Sequence, residues 1–107
     1  MKVNGKEYNL WGQFVERKKE FIGLRLQELT SGFPEMGSAE TQITDITLEP
    51  NGEDSAFFSV EGKEFGCGFD VGHGGVEGGE KGWITFYGYG GHTWRIESCG
   101  DAPQETP

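Results

Sequence analysis

The chain has 107 residues, of which 19 are glycine, 13% are aromatic, nine are Lys or Arg and 18 are Asp or Glu, giving a net charge of −9. A chain of this length supports one core and one domain. Its aromatic content excludes a disordered chain, and no run of about 18 apolar residues is present to cross a membrane as a helix.

Runs rich in β-branched and aromatic residues occur at 1–3, 7–15, 20–29, 41–49, 55–60, 64–71, 83–87 and 93–97. Turn chemistry separates them. Asn4-Gly5 and Asn51-Gly52 are dipeptides that tolerate the positive φ angles of tight hairpins, and Glu61-Gly62-Lys63 is a weaker signal of the same kind. Alternation assigns faces: Ile22, Leu24 and Leu26 on one side, then Ala56, Phe58 and Val60, then Phe65, Cys67, Phe69 and Val71, and finally Trp94 with Ile96. Residues 83–87 are bulky on both faces, as in a central strand or a contact surface. Residues 30–40, with Gly32, Pro34 and Gly37, read as an irregular loop, and the glycine-rich residues 72–82 read as a surface loop.

The pattern predicts an all-β fold, a small antiparallel meander closing into a barrel or sandwich of about seven or eight short strands. One segment supports an alternative. Trp11, Val15, Ile22, Leu26 and Leu29 also fit helical spacing, so an α+β fold with one helix within 13–29 competes with a hairpin there. Gly23, costly inside a helix, favours the hairpin. Residues 1–98 are expected to form the single β domain and residues 99–107 a flexible C-terminal tail.

Charge is unevenly distributed. Residues 1–30 carry six bases and four acids, whereas residues 40–80 carry ten acids and one base, Lys63. Such a field opposes direct binding to a phosphate backbone and suits a basic protein surface. Residues 1–20 contain no signal-peptide-type apolar run, so the expected location is cytoplasmic, in a bacterial or phage-infected host cell. Thiols stay reduced there, leaving Cys67 and Cys99 free or metal-bound rather than bridged.

Candidate chemistry is sparse. Cys67, His73, His92 and Cys99 comprise every Cys and His of the chain, a donor set that suits tetrahedral zinc. Their Cys-x5-His and His-x6-Cys spacings are wider than usual zinc knuckles, however. A Cys67–His73 thiol–imidazole pair would need a cation that the local sequence does not supply. There is no Gly-x-Ser-x-Gly elbow and no His-Glu-x-x-His, and the glycine-rich stretch carries two Glu residues that would repel a phosphate.

The residues therefore point to binding rather than catalysis, with no cofactor. The expected activity is that of a small acidic inhibitor or adaptor, of the size and charge of phage anti-defence or immunity proteins, docking on a basic surface of a partner protein. It could act as a nucleic-acid mimic without binding nucleic acid or membrane itself. Asp45, Glu49, Glu53 and Asp54 would supply steering, and Tyr87, Tyr89 and Trp94 an aromatic anchor. The alternatives are a small zinc protein using the Cys/His set, and a β-barrel binding a nucleotide or sugar through Trp83 or Trp94. Edge strands in a glycine-rich meander also allow a homodimer.

Overall fold

A computed structural model describes residues 1–29, 39–72, 74–77, 82–87 and 93–98. A two-residue hairpin comes first, β1 (Lys2–Val3) with β2 (Lys6–Glu7). Asn4 and Gly5 at its tip both have positive φ, as the Asn-Gly pair predicts. Next come α1 (Asn9–Glu16) and a 3₁₀ turn at Lys18–Glu20. Seven further strands follow: β3 (Arg25–Leu29), β4 (Ala39–Asn51), β5 (Ser55–Gly62), β6 (Gly66–Asp70), β7 (Gly75–Glu77), β8 (Trp83–Tyr87) and β9 (Thr93–Glu97). These seven form one antiparallel sheet in the order β6-β5-β4-β3-β9-β8-β7.

Two places differ from the sequence expectation. Residues 9–16 form a helix rather than a strand, and that helix begins ahead of the 13–29 window. Trp11 and Phe14 are three residues apart, so a strand would send them to opposite faces, whereas a helix turns both toward the core. Both are buried. The helix cannot continue to Leu29, because Gly23 takes a φ of +92°. That turn buries Phe21 and leaves Ile22 43% exposed, the reverse of the inward position its alternation suggested. The other difference is β7, which lies in the glycine-rich stretch and is a strand through its pairing with Thr85, Phe86 and Tyr87.

The two ends of the sheet approach each other without pairing. Seven flat strands would hold β6 and β7 about 29 Å apart. Yet β6 ends at Asp70 and β7 begins at Gly75, a link that spans at most about 17 Å. The sheet must therefore curl until one chain, bending between Asp70 and Gly75, borders β5 at first and then β8. The opposite corner is a β-bulge in β4, where the register with β5 shifts between Ile43 and Asp45. Two halves result. One consists of the later part of β4 with β5 and β6; the other consists of the start of β4 with β3, β9, β8 and β7.

Aromatic rings fill the space between them. From α1, Trp11 meets Phe58 at 4.9 Å, Phe69 at 5.3 Å and Phe86 at 6.3 Å between ring centroids. Phe14 adds contacts to Phe21, Phe58 and Phe86. Strand residues Leu26, Ile43, Ile46, Val60, Ile84 and Ile96 complete a core that is essentially sealed from solvent. Gly74 lies against the Phe69 ring so closely that a Cβ there would overlap it. Among the described residues no helix is long and apolar enough to cross a membrane.

Candidate protein-docking surface

Alternation along the strands gives each half of the sheet an outer face, and the two faces handle charge differently. On the β3-β9-β8 half, register brings Gln27 beside Arg95 and Arg95 beside Thr85. Arg95 Nε donates to Gln27 Oε1 at 2.6 Å, and Gln27 Nε2 donates to Glu40 Oε2 at 2.5 Å. Arg25 Nη2 donates to Glu97 Oε2 at 3.0 Å and lies 3.7 Å from Glu40 through Nη1. Both guanidinium groups also stack on the Trp83 indole, at 5.0 Å for Arg25 and 4.1 Å for Arg95. Hydrogen bonding to Arg25 holds the Glu97 carboxyl below its ordinary value and raises the Arg25 guanidinium in return. Among the described residues, each cation on this face, Arg25 and Arg95, has an anion or a ring beside it.

The β4-β5-β6 half is different. Glu49 lies near the end of β4, and Glu53 and Asp54 lie in the loop between Asn51 and Ser55. Glu61 ends the part of β5 that pairs with β6, and Glu64 follows in the connection to β6. All five are exposed, and none has a cation within ion-pair distance among the described residues. Asp45 is the exception among the expected steering residues. At the bulge it accepts from Lys18 Nζ at 3.1 Å and from the Ile46 amide at 2.8 Å, and these bonds, the Lys18 one foremost, hold its carboxyl below the ordinary value. Asp45 is committed to the fold, while Glu49, Glu53 and Asp54 face solvent.

The remaining expected site residues separate. Tyr87 is 44% exposed on the outer face of β8, in the other half of the sheet. Trp94 faces inward with Ile96 and stacks on Phe69 at 6.0 Å with its plane tilted 14°, so its ring serves packing. Trp83 is on the outer face rather than in a barrel mouth, clamped by the two arginines. Tyr89, His73, His92 and Cys99 lie outside the described residues. Cys67 is on the inner face of β6 with a free thiol, and burial pushes that thiol up to about 12. Among the described residues no three His, Cys, Asp or Glu side chains are grouped to hold a metal ion.

Sequence reasoning missed the Arg25–Glu97 and Gln27–Glu40–Arg95 contacts. Their partners are up to 72 residues apart, and only strand register brings them together. Comparison with protein families, with curated proteins and with solved structures finds no match to this chain.

Proposed function

We propose that this chain is a binding protein, an inhibitor or adaptor, which docks the outer side of its β4-β5-β6 ribbon on a basic surface of a partner protein. One observation supports the reading above others. Five exposed carboxylates without cations, Glu49, Glu53, Asp54, Glu61 and Glu64, share one ribbon, whereas most other described acids are paired: Glu7 with the N-terminus, Glu20 with Arg17, Asp45 with Lys18, and Glu40 and Glu97 with Arg25, Glu28 on β3 being an exception. Unpaired carboxylates contribute little to holding the fold, and their summed field reaches about a Debye length into solvent. A partner carrying Lys and Arg would be drawn in and oriented by that field before contact.

The test is an association rate. The partner is captured at low salt from the native host, and binding is timed for the wild type and for the E49K/E53K/D54K variant. Asp45 stays untouched, because its reversal would break the Lys18 pair. The variant is expected to associate at least about tenfold more slowly at low ionic strength, with the two rates converging as salt rises. Equal rates at every salt concentration would overturn the reading.

A further inference from the structure

The register of β6 makes a more specific statement about how such a partner binds. The Val71 amide donates to the Ala56 carbonyl at 3.1 Å, so Ala56 and Val71 are a hydrogen-bonded antiparallel pair. The uniform register from Phe57–Asp70 to Glu61–Gly66 carries the alternation along the strand. Phe69 and Cys67 thus turn their backbone groups toward β5, and Gly66 and Gly68 turn theirs away from it. Among the described residues β6 is the last strand on that side of the sheet, so the amides and carbonyls of Gly66 and Gly68 line an edge that no described strand pairs.

Within β6 three features that can blunt an edge are missing. Residues 66–70 contain no Lys and no Pro, and the pairing with β5 contains no bulge. Gly66 and Gly68 carry no side chains, and β5 packs close over them: a Cβ at Gly66 would come within 2.9 Å of the Val60 carbonyl oxygen. Glu61 is opposite Gly66 in the register, and the Phe57 ring lies 2.9 Å from where a Cβ of Gly68 would be. On the inner face, Phe65 and Cys67 are only partly buried against the core.

We infer that β6 accepts an extended partner segment as an eighth strand, and that this segment alternates basic with apolar residues. The inference rests on the docking reading above. A Lys or Arg side chain leaving the added strand on the outer side can pass over the bare Gly66 backbone toward Glu61, and another can lie over the Phe57 ring. Apolar residues between them would cover Phe65 and Cys67. Strand addition of this kind draws affinity from main-chain hydrogen bonds and specificity from alternate side chains. Charge decides against a second copy of the chain as occupant, because pairing β6 with β6 would bring together two ribbons that each carry five carboxylates without cations.

The probe is a nine-residue, end-blocked peptide alternating arginine and valine, titrated calorimetrically into the full chain. Two derivatives carry N-methyl groups, one on the arginine amides and the other on the valine amides. In a strand, alternate amides point to opposite edges, so only one derivative loses its bonds to β6. That derivative is expected to bind at least about tenfold more weakly than the parent, and the other within about threefold of it. Bound parent peptide should also slow hydrogen exchange at Gly66 and Gly68. Equal affinity for all three peptides would overturn strand addition and leave charge-driven docking standing. No binding by any peptide would overturn strand addition alone, since the docking reading is decided by the E49K/E53K/D54K rates. A dimer that protects Gly66 and Gly68 without peptide would also overturn it.

Discussion

The two halves of the curled sheet cover the same aromatic core but differ in what their outer faces do with charge. On β3-β9-β8 the carboxylates of Glu40 and Glu97 meet Arg25, and the indole of Trp83 sits under two guanidinium groups. On β4-β5-β6 Asp70 accepts hydrogen bonds from Asn51, Ser55 and the Gly72 amide, but Glu49, Glu53, Asp54, Glu61 and Glu64 have no cation within ion-pair distance among the described residues. Paired charges hold geometry and cancel at a distance; unpaired ones weaken the fold slightly and project a field. Among the described residues the exposed carboxylates without cations thus gather on one half of the sheet, and that half also has the glycine edge.

The largest effect is expected from the core that both halves share. Phe86→Ala removes a fully buried ring that touches Trp11, Phe14, Phe58 and Phe69, and should cost about 3–5 kcal/mol by urea unfolding. Fluorescence and circular dichroism should report a single transition. Two separate transitions would mean that the halves are independent units. Next in size is Gly74→Ala, at the corner joining them, where the new methyl would displace Phe69; overpacking of this kind costs about 1–3 kcal/mol.

Smaller effects separate the two faces. Arg95→Ala removes the donor to the oxygen of the buried Gln27 and uncovers Trp83, so about 1 kcal/mol of stability should be lost. Partner association should not change. Glu97 adds a pH signature. Its folded value lies below the ordinary 4.5 because of Arg25, so the stability of that pair is complete above 4.5 and is lost as pH falls through the lowered folded value. Glu97→Gln should flatten the acid side of the stability profile. The smallest change in stability, within about 0.5 kcal/mol, is expected for the neutral ribbon variant E49Q/E53Q/D54N, which should nonetheless associate more slowly.

Much of the fold was legible from local chemistry. Asn4-Gly5 has the two positive φ angles its dipeptide implies, and the runs at 83–87 and 93–97 coincide with β8 and β9. Alternation correctly placed Ala56, Phe58 and Val60 inward. The helix was obscured because it is only eight residues long and contains Gly12, whose lack of a side chain accommodates Met1. Strand β7 was obscured because glycine has no strand preference of its own, and the partner strand decides its conformation. The acidic bias was visible in composition. Which acids remain unpaired was not, because Lys18 reaches Asp45 across 27 residues, through a turn and a bulge that neither local sequence specifies.

Backbone hydrogen exchange, compared between the isolated chain and its partner complex, tests most directly whether the unpaired half is the recognition face. Slowed exchange should appear in the β4–β5 loop around Glu53 and at Gly66 and Gly68, while β8 and β9 keep their free-state rates. Protection confined to β8 and β9, with the β4–β5 loop and the β6 edge unchanged, would contradict the account.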